Sequence, residues 1–217
     1  AGLSRCGRRR AGSGGPWPGD RPRRTAGRHH WAAVHDRESP CRVDAARLGI
    51  TGLSEGASSA LWAILTTSRY RAAAVSSCCE DPWPIFYGGG LALARDVKAW
   101  GYPLPDKEEE GFWQRYSVAL NAGRIGTPLL LQMSDQEFRH SLQAVGSLKD
   151  AGKPVELFVF PNEFHIKWQP AHRAAVYRRS LDWFDFWLRD RVDPDPAKAP
   201  QYRRWQAMRD ASVPPHG

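Results

Sequence analysis

The sequence has no apolar run that approaches the roughly 20 residues needed to span a bilayer. Its arginine-rich start has no apolar segment behind it that would form a secretory signal. Cysteine is scarce, and Cys6, Cys41, Cys78 and Cys79 form no C-x-x-C pair and no metal-ligand spacing. The adjacent pair is expected to be reduced, because disulfide geometry is specific and a bond between neighbours is strained. These absences argue against a membrane span and a metal site. They leave the compartment open, and the expected reduced cysteines favour the cytoplasm over the periplasm.

Lysine is absent from residues 1–42, although the chain carries a net charge of +8. Ten arginines against three acidic residues place most of that charge in this segment. The segment is rich in Arg, Gly, Pro and Ser without helical or strand periodicity, which predicts disorder because too little apolar surface can be buried. A nucleic-acid arm held by phosphate contacts is the alternative. Unpatterned basic tails mostly stay solvated, so a nucleic-acid partner is not expected.

Residues 43–192 have a different pattern, in which short apolar strands alternate with helices. Strands are predicted at about 46–51 and in the stretches YRAAAVSS, TPLLLQM and KPVELFVFP. This alternation predicts βαβ units and a parallel sheet. Continuous apolar runs such as LLL suit strands that are covered on both faces. The remainder, residues 193–217, is polar and proline-bearing, and it is interpreted as a tail.

The pentapeptide GLSEG, residues 52–56, stands where the first of these strands passes into a helix. A strand that enters a helix through G-x-S-x-G is typical of the nucleophile elbow of an α/β-hydrolase. Ser54 would then be a nucleophile, and the backbone N–H of Glu55 would contribute to an oxyanion hole. A chance match is the alternative. The elbow is favoured because strand, elbow, helix and second strand follow one another in order.

An elbow predicts an acid and then a histidine further along the chain, each placed after a strand. Asp135 and Glu137 follow the third predicted strand, and His165 follows the fourth. His165 therefore takes the role of general base on position alone. Either carboxylate could orient its imidazole, so the residues themselves leave the acid open.

The stretch from "IGTPLLLQM" to "LDWFDFWL" resembles the C-terminal end of the prolyl oligopeptidase family of serine peptidases. Together with "RLGITGLSEGASSA", the resemblance covers about residues 43–190. Within the family the chain is similar to the lasso peptide isopeptidases, which carry a segment like "SSCCEDP" at 76–82. The resemblance implies that Glu137 is the catalytic acid and that Asp135 is two residues short of that position. A glutamate departs from the family's usual aspartate.

The activity that this resemblance implies is acyl transfer on an amide bond by Ser54, His165 and Glu137, with no metal or organic cofactor. It implies a peptide substrate, and the similarity to the isopeptidases implies a lasso peptide cut at the bond that closes its ring. Two alternatives stay open. One is an α/β-hydrolase that acts as an esterase, because the elbow does not choose between esters and amides. The other is a fragment without enzymatic activity.

Members of this family carry a β-propeller and several sheet strands before the elbow strand, whereas only the basic segment 1–42 precedes it here. The resemblance therefore implies a partial α/β-hydrolase fold whose parallel sheet lacks its N-terminal strands. The sequence offers no candidate for the second oxyanion donor. An open strand edge promotes association, so the isolated chain is expected to be poorly soluble and nearly inactive.

Overall fold

A sheet of four parallel strands is the centre of the fold, as the computed structural model of residues 43–78, 81–107 and 111–212 shows. The strands are β1 (Leu48–Leu53), β2 (Tyr70–Ser76), β3 (Leu129–Ser134) and β4 (Val155–Phe160), and they lie in the order β1-β2-β3-β4. The parallel sheet predicted from the alternating pattern is confirmed. The predicted disorder of residues 1–42 falls outside the described part of the chain.

The register of the strands aligns their carboxyl ends along one edge of the sheet. Leu53 pairs with Ser76, Ser76 with Gln132, and Ser134 with Phe160. The loops that follow the strands therefore leave from the same rim. In sheets of this type, ligands bind outside the carboxyl ends of the strands. This rim is consequently where side chains from distant parts of the sequence can meet.

Six helices in the described part of the chain connect and cover the strands. They are α1 (Glu55–Thr66), α2 (Gly90–Ala99), α3 (Phe112–Tyr116), α4 (Leu142–Asp150), α5 (Pro170–Arg189) and α6 (Ala199–Ser212). One π-helical turn lies at Pro84–Gly88, and 3₁₀ turns lie at Ala119–Arg124, Phe138–Ser141 and Pro196–Lys198. Within the described residues, no helix is both long and apolar enough to cross a membrane.

Both faces of the sheet are buried, which explains the continuous apolar runs in the sequence. Because alternate strand residues point to opposite faces, Ala73 and Val75 of β2 join a core formed with α1 and α4, whereas Ala72 and Ala74 join a core formed with α5 and α6. The helices α2 and α3 between β2 and β3 pack around a separate cluster that includes Phe86 and Trp113.

The segment interpreted from sequence as a polar tail is helical over Ala199–Ser212, and it belongs to the same compact unit as the sheet. Trp205 is fully buried, with its ring edge-on to Trp183 at a centroid distance of 5.0 Å. Its indole Nε1 and the guanidinium of Arg204 both donate to the carboxylate of Glu156 on β4. The tail interpretation is therefore wrong for these residues. Although the helix is mainly polar, the aromatic side chains on one of its faces pack against α5 and hold it to the domain.

Cys78, just beyond β2, is disulfide-bonded. The expectation of a reduced Cys78 is therefore wrong. Cys6, Cys41 and Cys79 lie outside the described residues.

We expect Trp205→Ala to destabilise the fold by about 3–5 kcal/mol, the range typical of deleting a buried tryptophan side chain. The change removes the indole from the core of α5 and α6 and leaves Glu156 without one of its donors. Denaturant-induced unfolding followed by tryptophan fluorescence measures the effect. Arg203→Ala, at an exposed position of the same helix, is the control and should unfold as the parent chain does. Equal stability of the two variants would contradict the docking of α6.

Candidate active site

The backbone at Ser54 adopts a conformation that a serine rarely takes, with φ 55° and ψ −124°. Its N–H donates to the carbonyl of Ser76 at the end of β2 over 3.1 Å. Glycine is required at position 52, because a Cβ there would lie 2.0 Å from the carbonyl oxygen of Gly56. The turn from β1 into α1 is thus as sharp as the G-x-S-x-G pattern predicts.

The helix α1 begins at Glu55, immediately after this turn. The first N–H groups of a helix have no acceptor within it, and the helix dipole gives them a partial positive charge. The backbone N–H of Glu55 is one of these groups, whereas its side chain is exposed. The start of α1 therefore provides an electropositive position next to the Ser54 hydroxyl.

Glu137 and His165 are in direct contact at the same rim. The Nδ1 atom of His165 lies 2.6 Å from Oε1 of Glu137, and the hydroxyl of Ser134 donates to the other carboxylate oxygen over 3.3 Å. With its proton on Nδ1, the neutral imidazole keeps Nε2 as a free acceptor. The His165 side chain is 47% exposed, so that acceptor can be reached from solvent.

The carboxylate of Asp135 contacts backbone amides. It accepts hydrogen bonds from the N–H of Asn162 over 2.7 Å and from the N–H of Glu163 over 3.1 Å. These two bonds lower the pKa of Asp135 below its ordinary value. The residue thereby fixes the start of the loop that carries His165.

Glu163 fixes the same loop to α5. Its buried carboxylate accepts from the N–H groups of Trp168 and Gln169, just before the helix, and from Nδ1 of His172 over 2.7 Å. Burial acts to raise the pKa of Glu163, but these hydrogen bonds outweigh it and hold the pKa below its ordinary value. Sequence reasoning did not identify Glu163.

The loop after β4 also contacts the end of β2. The hydroxyl of Ser77 donates to the carbonyl of His165 over 2.7 Å, and Lys167 reaches the same region. Since Ser54 donates its N–H to Ser76, the neighbour of Ser77, the end of β2 connects the elbow to the histidine loop. The structure thus has Ser54, Glu137 and His165 on one rim, with Asp135 directed at the loop backbone. Among the described residues, no cluster of His, Cys, Asp and Glu could hold a metal ion.

Known proteins share this architecture. A family model described as the prolyl oligopeptidase family matches residues 31–191 and so begins inside the basic segment 1–42. The lasso peptide isopeptidase AtxE2 of Asticcacaulis excentricus is 42% identical over 189 residues, which cover 84% of this chain and 27% of that protein. The chain therefore spans about a quarter of the length of this relative.

Solved structures agree with the sequence comparison. A variant of the AtxE2 isopeptidase with Astexin3-dC4 bound has a TM-score of 0.74 at 44% identity, over 79% of this chain and 26% of that one. The acylaminoacyl peptidase of Pyrococcus horikoshii has a TM-score of 0.58 at 24% identity, over 72% of this chain and 26% of that one, and it supports the fold alone. The α/β-hydrolase fold expected from the sequence is confirmed. The chain belongs to the prolyl oligopeptidase family of serine peptidases.

Proposed function

We propose that this chain carries the catalytic centre of a serine peptidase, with Ser54 as nucleophile, His165 as general base and Glu137 as the acid that orients the imidazole. The observation that carries the proposal is the 2.6 Å contact between Glu137 and His165 on the rim where the strained Ser54 backbone lies. A hydrogen-bonded acid and imidazole beside an elbow serine is the arrangement that acyl-transfer enzymes use.

In the proposed mechanism, Nε2 of His165 takes the proton of the Ser54 hydroxyl as its oxygen attacks an amide carbonyl. Glu137 holds the Nδ1 proton and stabilises the imidazolium. The backbone N–H of Glu55 donates to the developing oxyanion. His165 then protonates the leaving amine, and water, deprotonated by the same imidazole, hydrolyses the acyl-enzyme. No step requires a metal or an organic cofactor.

Glu137 is preferred to Asp135 as the acid because of their different hydrogen-bond partners. Both oxygens of Asp135 already accept backbone N–H groups, whereas an oxygen of Glu137 faces the imidazole. The glutamate side chain is one methylene longer than the aspartate usual in this family. Because the backbone of Glu137 lies at the start of the 3₁₀ turn after β3, the longer side chain lets its carboxylate reach the imidazole.

For the whole protein we propose hydrolysis of peptides, and specifically of the isopeptide bond in a lasso peptide. The support is the 42% identity to a protein named as a lasso peptide isopeptidase. The proposed attack is compatible with an isopeptide bond, because that bond is an amide like the peptide bond. Parallel assays on a lasso peptide, a linear peptide and a simple ester would distinguish this substrate class from simple esters.

Ser54→Ala should abolish covalent labelling of the chain by a fluorophosphonate probe, because the probe reacts with an activated serine hydroxyl. Gel fluorescence or intact-protein mass spectrometry measures the labelling. Ser59→Ala, at an exposed position of α1, is the matched control and should be labelled like the parent chain. Absence of labelling in the parent chain would instead favour a fragment without enzymatic activity.

Glu137→Gln should slow labelling by about 10⁴-fold, the cost known for replacing a triad carboxylate by its amide, because the amide no longer holds the required imidazole tautomer. Asp135→Asn should have a much smaller effect, because it weakens loop contacts without changing the partner of the imidazole. Labelling rates of the two variants under identical conditions provide the measurement. The reverse order of effects would assign the acid to Asp135.

A threaded lasso peptide should be hydrolysed faster than a linear peptide of the same sequence, with a mass gain of one water and opening of the ring. Liquid chromatography with mass spectrometry follows both substrates and a simple ester in parallel. The Ser54→Ala chain provides the blank. Turnover of the ester with neither peptide cleaved would identify an esterase instead.

A further inference from the structure

The loop that carries His165 leaves the sheet far from the proposed nucleophile. It follows β4, whereas Ser54 follows β1, and β2 and β3 lie between them. Neighbouring strands are about 4.8 Å apart, so three spacings separate the two carboxyl ends by about 14 Å. Because general-base catalysis needs hydrogen-bond reach between imidazole and hydroxyl, some contact must hold the loop over β2 and β3.

Lys167, two residues beyond His165, makes that contact. It is only 5% exposed. Its Nζ donates to Oγ of Ser76 over 2.8 Å, to Oγ of Ser77 over 3.1 Å and to the carbonyl of Gln132 over 3.2 Å. These three acceptors belong to the carboxyl ends of β2 and β3, the two strands that the loop has to cross.

The proton count of this cluster requires a charged lysine. The Ser76 hydroxyl donates its proton to the carbonyl of Gln132 over 2.7 Å, and the Ser77 hydroxyl donates its own to the carbonyl of His165 over 2.7 Å. Neither hydroxyl has a proton left for Lys167. All three protons must therefore come from Nζ, and only the ammonium form has three.

The surroundings of the ammonium are consistent with that charge. Burial lowers the pKa of Lys167, and the negative charges of Glu137 and Glu163 act in the opposite direction. The lysine is thus a buried cation that attracts both the proposed acid of the triad and the carboxylate that fixes the loop to α5.

We propose that Lys167 is a positioning residue, whose ammonium fixes the His165 loop to the ends of β2 and β3, where Ser76 also accepts the backbone N–H of Ser54. The inference rests on the proposed function of Ser54 and His165. Lys167 does not touch the reacting atoms. Through Ser76 at the end of β2, Lys167 connects the loop that carries the general base to the turn that carries the nucleophile.

A positioning role and a merely structural role differ in what the Lys167→Met variant does. Methionine has a similar length and no charge, and both serine hydroxyls keep their acceptors, Gln132 and His165. The loss of the ammonium removes its desolvation cost, and its three acceptors are neutral groups that each keep another hydrogen bond, so no buried charge is left unpaired. The variant should therefore unfold at the same or a higher denaturant concentration than the parent chain, while its reactivity falls.

The expected fall is about 10²-fold in the rate of Ser54 labelling by a fluorophosphonate, since displacement by about 1 Å can cost that much. The proton on Nδ1 of His165, observed by NMR at high frequency, should shift or disappear as the contact with Glu137 loosens. This resonance requires no catalysis. Absence of labelling in the parent chain would refute the proposed function, and the resonance would still test Lys167.

Lys198→Met is the matched control, because Lys198 is also paired with carboxylates, those of Asp182 and Asp193, but outside the rim. It should lower stability without changing the labelling rate or the imidazole resonance. A Lys167→Met chain that is labelled as fast as the parent, or whose resonance is unchanged, overturns the proposal. If Lys167→Met does not fold, Ser77→Ala serves instead: slower labelling supports the proposal, and an unchanged rate overturns it.

Discussion

The parallel order of four strands is the constraint on which the site depends. Since all the strands run in one direction and in register, each delivers its following loop to the same rim. The hydroxyl of Ser54, the carboxylate of Glu137 and the imidazole of His165 come from loops after three different strands. An antiparallel neighbour would send one of these groups to the opposite edge. The proposed chemistry thus depends first on the direction of the strands, because this direction brings the three side chains to the same rim.

The rim also concentrates strain, and the structure around it offsets that strain. A non-glycine residue held in a sparsely populated backbone region costs about 1–3 kcal/mol, and both Ser54 and Ser77 have positive φ. The N–H of Ser54 donates to the carbonyl of Ser76, and the carbonyl of Ser54 accepts from the N–H of Ala57 in the first turn of α1. Buried packing of α1 against the sheet then keeps the turn from relaxing.

Much of this could be read from the sequence, because the deciding signals are local. Apolar runs bounded by glycine and proline identified the four strands, although β1 begins at Leu48, two residues later than predicted. The pentapeptide around Ser54 and the position of His165 after β4 predicted one shared rim. The helix α6 was missed because its few apolar residues, among them Trp205, are spread over a mainly polar segment. The disulfide at Cys78 was missed because the spacing of the four cysteines carries no recognisable pairing signal.

The residues alone did not distinguish the tasks of the acidic side chains, because those tasks depend on contacts between segments far apart in the chain, and only the resemblance to the family implied Glu137. Asp135 and Glu137 are two residues apart and look equivalent as orienting acids. In the fold they face different donors, the backbone of the histidine loop and the imidazole itself. Lys167 has no periodic or motif signal at all. Its place is defined only once β2, β3 and the loop after β4 are assembled.

The rim is therefore held together by buried and half-buried charge as much as by apolar packing. An unpaired buried charge is strongly unfavourable, and each charge here meets specific partners. Glu163 accepts two backbone N–H groups that lie just before α5 and an imidazole N–H, and Lys167 donates to three oxygens. Such directional contacts restrict where the loop can lie far more than apolar contacts do, because each hydrogen bond weakens steeply away from its preferred geometry. A histidine carried by a long loop needs this restriction, since the loop backbone alone cannot supply it.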